Sequence, residues 1–186
     1  RNYMLLAIVP ALVSYAMVVR FKWRAWPVVG ISFFVLIFVF WGARVWIPSL
    51  DLPKLVQQKQ SDFLQLDGAN TAIQLTALQP TGTSFIKVFP EAIQHALFRP
   101  FFNDLSLSWQ LAPFIFEILF YWVLFFYTIL KKSDQKFYPL GPVFLLMSVI
   151  VLLLIGYTVP ILGAIVRYRS FLLPFIITPL LVRFKS

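Results

Sequence analysis

A chain of 186 residues that is 60% hydrophobic, 18% aromatic and only 12% charged, with a mean hydropathy of +0.83, carries more apolar surface than a water-soluble domain of its length hides, and it predicts an all-α integral membrane protein. The absence of cysteine excludes disulfides, thiolate chemistry and Cys-ligated metal. Sixteen Lys and Arg against seven Asp and Glu give +9, but the basic residues do not alternate with aromatics on a polar face, which excludes nucleic acid as a partner.

Five apolar stretches approach the roughly 20 residues that cross a bilayer: 3–20, 26–48, 108–130, 137–159 and 161–182. They divide the chain into two transmembrane helices (1–48), an external loop (49–107) and three transmembrane segments (108–186), the last open to a break near 160–170. The first stretch, "RNYMLLAIVPALVSYAMVV", lacks an A-x-A-like cleavage site and reads as a span rather than a signal peptide. A start on Arg1 leads us to expect that the chain begins inside a longer protein.

The loop holds two amphipathic segments. "PKLVQQKQSDFLQLD" (53–67) opens on Pro53 and spaces Leu55, Val56, Phe63 and Leu66 in a helical rhythm. "PTGTS" (80–84) is turn chemistry. "FPEAIQHALFRPFF" (89–102) starts on Pro90 and Glu91, places Phe89, Ile93, Ala96 and Leu97 on one stripe and stops at Pro100. The second of these is expected to lie flat on the outer membrane face.

Basic residues in short loops mark the cytoplasmic side. Arg20, Lys22 and Arg24 follow the first span, Lys131, Lys132 and Lys136 the third, and Arg183 and Lys185 the fifth. The three positions alternate consistently if all face the cytoplasm, with the first residue outside and the C-terminus inside. In the outer interval Lys54, Lys59, Lys87 and Arg99 are roughly balanced by Asp51, Asp62, Asp67, Glu91 and Asp104.

Catalytic constellations are largely missing. His95 is the single histidine, so no His-based metal site forms within the chain, and its place on a short polar helix reads as a surface position. No cofactor is indicated, and no phosphate loop or nucleophile elbow occurs. The chemistry that remains lies at membrane depth. Glu117, eight residues beyond Trp109, sits about 12 Å into its helix, where a lone carboxylate is costly unless paired or protonated. Arg44 near Pro48 and Arg167 near Ile161 fall in the same outer third, and Glu117 is expected to pair with one of them. In "RYRS", a continuous helix would turn Arg167 and Arg169 to opposite sides of Tyr168; a broken one, favoured by Pro160, Gly163 and Pro174, would present both to an anion at the outer surface. A lipid-carrier phosphate suits such a site.

"FPEAIQHALFRPFF", Glu117 in the following span and "VRYRSFLLPFI" together resemble the C-terminal half of polytopic bacterial membrane proteins of polysaccharide and cell-envelope assembly, of the dolichyl-phosphate-mannose glycosyltransferase type. The resemblance covers about residues 89–180. It implies that Arg99, Glu117, Arg167 and Arg169 match recurrent polar positions. It also implies that the protein handles a polyprenyl-phosphate-linked sugar or glycan at the outer face of the cytoplasmic membrane. The catalytic acid of that superfamily lies in a first external loop, so any catalytic residue is expected upstream of this chain.

The expected ligand site therefore comprises Arg44, Arg99, Glu117, Arg167, Tyr168 and Arg169, with membrane lipid, a lipid-linked glycan and further membrane subunits as partners. Two other readings compete. A transporter or flippase fragment would line a pathway with the same charges; a non-catalytic subunit would pair them internally to hold helices together.

Overall fold

The computed structural model describes residues 5–65, 70–130 and 140–181. The described residues are helical, and the only β-type pairing among them is a single antiparallel bridge between Ala72 and Ile161. Seven α-helices follow in order: α1 (Leu5–Arg20), α2 (Ala25–Trp46), α3 (Leu52–Leu64), α4 (Gly82–Ile93), α5 (Ala112–Leu130), α6 (Gly141–Thr158) and α7 (Leu162–Leu181). A π-helical turn, Gln94–Phe98, extends α4, and short 3-10 turns at Phe102–Ser106 and Trp109–Leu111 lead into α5. The orientation markers Lys131, Lys132, Lys136, Arg183 and Lys185, and also Leu66 and Asp67, lie outside the described residues.

Among the described residues three helical stretches are long and apolar enough to cross a membrane: Ala25–Trp46, Trp109–Thr128 and Gly141–Thr158. Their length follows from rise per residue, since 18 to 22 residues make about 27 to 33 Å of helix. Chemistry agrees with length. On α2 only Val28 and Ser32 are buried, whereas Ile31, Phe34, Val35 and Phe38 are exposed, and on α5 the exposed set includes Phe116, Phe120, Val123 and Phe126. Water does not tolerate so large an apolar surface; hydrocarbon does. The protein is membrane-embedded.

The chain forms two compact units. The first takes residues 1–55, 133–151 and 172–186. In it α1 buries Ala7, Ala11, Ser14 and Val18, a stripe at helical spacing whose small residues let a neighbouring backbone approach closely. The stripe packs with Val28 of α2 and Val143 of α6, alongside Met17, Val29 and Met147. Burial of the Ser14 hydroxyl is met by two hydrogen bonds, one to the Pro10 carbonyl and one shared with Ser32, each 2.7 Å. Pro10 lies inside α1. Between α1 and α2, Lys22 adopts a left-handed conformation with φ 54°, which a non-glycine residue accepts only in a tight reversal.

The second unit takes residues 56–132 and 152–171. Its organiser is Gln60, 2% exposed on α3. The amide donates to the carbonyls of Thr76 (3.1 Å) and Tyr157 (2.9 Å) and accepts from the Leu78 amide (2.7 Å), so a buried polar group is fully used. The extended segment that it grips also ties down the start of α7. Pro160 accepts from the Ile73 amide at 2.7 Å, and the Thr71 carbonyl accepts from the Leu162 amide at 3.0 Å, filling one of the orphan donors of a helix N-terminus. Against α4, Gly156 of α6 lies so close that a Cβ there would stand 2.1 Å from the Ala92 carbonyl oxygen. Only glycine fits. Tyr157 next to it stacks obliquely on Phe85 at 5.2 Å and donates to the Phe85 carbonyl at 2.9 Å.

Both loop helices form with shifted bounds. α4 begins at Gly82, eight residues before Pro90, and Pro90 sits inside it. Its buried side is Phe85, Val88, Ala92 and then His95 and Ala96, while Phe89 of the expected stripe is 43% exposed. Phe85, Val88, Ala92 and His95 keep the three- and four-residue steps of one helical face, so the buried side is set from the start of the helix at Gly82, and His95 is simply its next member.

Candidate functional site

α7 runs unbroken through Arg167, Tyr168 and Arg169. Its buried side is Leu162, Ile165, Arg169 and Leu172, spaced as one face of a helix. Arg169 thus occupies a core position, 4% exposed, while Arg167 two residues earlier is exposed on the other side and Tyr168 is half-buried. Proline at 160 and glycine at 163 place the break ahead of the helix, between Thr158 and Leu162, instead of within the arginine segment.

The buried guanidinium is incompletely satisfied. Nη1 of Arg169 donates to the carbonyl of Arg99 at 2.8 Å, but Nε and Nη2 are buried with no hydrogen-bond partner. Each such donor costs about 1–3 kcal/mol, more when charged. Glu117 of α5, half-buried, lies within electrostatic reach of Arg169 and accepts a hydrogen bond from the Tyr121 hydroxyl one turn further along. The cation facing Glu117 within this unit is therefore Arg169. Arg44, exposed on α2, belongs to the other unit.

The π turn delivers the other members. Arg99 directly follows it, with Nη1 3.7 Å from Oδ1 of Asp104 and its guanidinium 5.8 Å from the Phe101 ring centroid, a cation–π distance. Asp104 is 8% exposed; its Oδ2 accepts from the Phe101 amide at 2.7 Å, closing the short turn. Nε of Arg99 is a further buried donor without a partner. The turn is braced from outside by Phe98, stacked on Trp122 of α5 at 4.6 Å and 15°.

His95, one turn before Arg99, is 3% exposed, a buried position where its polar neighbours suggested surface. Its Nε2 lies 3.3 Å from Oε1 of Glu91, the same oxygen that accepts from the Thr76 amide at 2.9 Å. Its Nδ1 is buried without a partner. Burial lowers the imidazole below its ordinary value and the nearby Arg99 charge adds to this, outweighing the opposite pull of Glu91 and Asp104. For Glu91 burial works upward, but the hydrogen bonds from Thr76 and His95 prevail and hold the carboxyl below its ordinary value.

Of the expected ligand residues the second unit gathers Arg99, Glu117 and Arg169. Sequence reasoning did not reach His95, Asp104 or Tyr121. For Tyr121 a signal existed: it stands four residues after Glu117, the spacing at which helical side chains meet. Among the described residues no group of three or more His, Asp or Glu side chains is arranged to hold a metal.

An all-helical, membrane-embedded protein with a buried, partly unsatisfied arginine centre is the class that fold and site define. No family model, no curated protein and no solved structure matches the chain.

Proposed function

We propose that this chain is the membrane part of a protein that handles a polyprenyl-phosphate-linked sugar or glycan at the outer face of a bacterial cytoplasmic membrane, with Arg169 and Arg99 as the anion-binding groups. The observation that carries the reading is the Arg169 guanidinium, almost fully buried with two donors unpaired. Native proteins rarely leave buried polar groups unmet, and a ligand oxygen is one reason for the exception. Guanidinium donors suit phosphate by charge and by forked geometry.

The proposed topology has five spans, with α1 and α7 joining the three helices that are long and apolar enough to cross, and with 49–107 outside. Arg169 lies seven residues into α7, about 10 Å from its start, similar to the depth of Glu117 in its own span. Both then stand below the outer leaflet's headgroups, at the level a lipid phosphate reaches. The unpaired atoms are closed to solvent, so ligand entry needs a local opening around them. Transfer chemistry on the sugar belongs to residues outside this chain.

A second reading has its own support: the bond from Arg169 to the Arg99 carbonyl and the nearby Glu117 are what a structural clasp between helices would show. Binding of a long-chain prenyl phosphate to the chain in phosphatidylcholine nanodiscs separates the two. Under our reading wild type binds and Arg169→Met does not; if wild type shows no binding above an uncharged prenol, the clasp is the better account.

A further inference from the structure

The same cluster holds one polar atom of the opposite kind. Around the π turn the unpaired buried atoms are three donors, Nε and Nη2 of Arg169 and Nε of Arg99, and one ring nitrogen, Nδ1 of His95. Which role that nitrogen plays is fixed by its neighbour. Oε1 of Glu91 already accepts from the Thr76 amide and lies 3.3 Å from Nε2 of His95; its hydrogen bonds hold the carboxyl ionised, while burial and the Arg99 charge hold the imidazole neutral. An ionised carboxylate only accepts, so the single ring proton belongs on Nε2 and Nδ1 presents a bare lone pair. Arg99 follows His95 by one turn and acts on it electrostatically, and Arg169 reaches the Arg99 carbonyl at 2.8 Å. Acceptor and donors thus belong to residues linked around the end of one helical turn.

A ligand that satisfies this set needs several acceptor oxygens and one acidic hydrogen. We propose that the site takes a phosphate monoester, whose charged oxygens accept from Arg169 and Arg99 while its one remaining P–OH donates to Nδ1 of His95. The inference rests on the anion-binding reading of Arg169 and Arg99 and narrows it. A phosphodiester or a sulfate ester offers the same negative oxygens but no hydrogen, and it would leave the His95 lone pair facing oxygen lone pairs. In a chain that handles lipid carriers, the preferred species is the free monophosphate, the form left after a glycan has departed from a monophosphate carrier or before one is loaded. The bound species is the monoanion; the second ionisation of a phosphate monoester lies at about 6, so binding from a pool that is mainly dianion at neutral pH takes up one proton from water.

The test uses the full chain in phosphatidylcholine nanodiscs at pH 6, where about half of the monoester carries its P–OH, titrated with geranylgeranyl phosphate and with its methyl diester, binding being read by calorimetry. The hydrogen bond that the diester cannot make, and the lone pair it leaves unmet, predict that the monoester binds on the order of tenfold more tightly. In His95→Phe the two lipids should bind with equal affinity, that of the diester staying at its wild-type value. Glu91→Gln supplies a side-chain amide that can donate to Nε2, letting the ring proton move to Nδ1, and the preference should shrink or reverse. A purely structural His95 would lower both affinities together and leave their ratio intact in both variants, which overturns the proposal. Equal binding of the two lipids to wild type overturns it while anion binding stands; no binding of either removes the anion reading itself.

Discussion

Replacing Arg169 with methionine distinguishes a ligand site from a clasp, because the two assign different sizes to the loss of stability. Methionine keeps the length and the apolar stem and removes the guanidinium. The loss is one hydrogen bond from a charged donor to the Arg99 carbonyl at 2.8 Å, about 1.5–3 kcal/mol, together with the electrostatic support of Glu117, which keeps its Tyr121 hydrogen bond. The gain is relief of two buried, unpaired donors at about 1–3 kcal/mol each. These nearly cancel, so the unliganded variant should unfold within about 2 kcal/mol of wild type, whereas breaking a well-matched buried ion pair costs about 3–5 kcal/mol. Binding should fall at least about a hundredfold, the value of two charge-assisted hydrogen bonds. Reversible unfolding in mixed micelles gives the first quantity and nanodisc calorimetry the second. A variant that loses more than about 3 kcal/mol of stability yet binds prenyl phosphate as wild type does would refute the reasoning.

Gly156→Ala sets a Cβ 2.1 Å from the Ala92 carbonyl oxygen; helix backbones do not yield cheaply, and a loss of about 1–3 kcal/mol or more should appear as a lower melting temperature with weakened ligand binding, since Ala92 precedes the π turn. Gln60→Leu strands the Leu78 amide and the Thr76 and Tyr157 carbonyls, so unfolding should become easier by about 2–4 kcal/mol, measured in the same micelles. Both His95 and Glu91 have lowered values in the folded state, so the unfolded chain binds protons more readily. Stability should be full above the ordinary histidine value of 6.5, decline as pH falls below it, and decline again below the ordinary carboxyl value of 4.5. Melting followed from pH 8 to 4 checks this, and His95→Phe should abolish the upper step only.

Much of the fold was written in composition and period. Runs such as "VVGISFFVLIFVFW" (28–41) have no polar face to lose, so a helix in hydrocarbon is their only economical state. For Arg167 and Arg169 the spacing left two outcomes open, and Pro160, Gly163 and Pro174 favour the break that would bring both to one site; α7 is instead continuous and turns one outward and one inward. The start of α4 was not legible, because Pro90 is as acceptable in the first turn of a helix as it is costly inside one, and only the packed structure tells which applies. His95 was missed for a related reason. It continues the buried face of Phe85, Val88 and Ala92 at regular helical spacing, but that face shows only if the helix starts at Gly82, whereas a start at Pro90 phases the stripe on Phe89 and Ile93. Gln60 followed Leu52 and Val56 at four-residue steps, so its place on the buried face was legible in principle; its three partners, from segments distant in sequence, were not.

The distance between a bound lipid's phosphorus and the guanidinium nitrogens of Arg169 tests the central claim most directly. With 15N-arginine-labelled chain in bilayers containing prenyl phosphate, phosphorus–nitrogen dipolar recoupling should place the phosphorus within roughly 4 Å of an arginine nitrogen, and the signal should vanish in Arg169→Met. Undiminished nitrogen intensity in the wild type, or dephasing that persists in the variant, would contradict it.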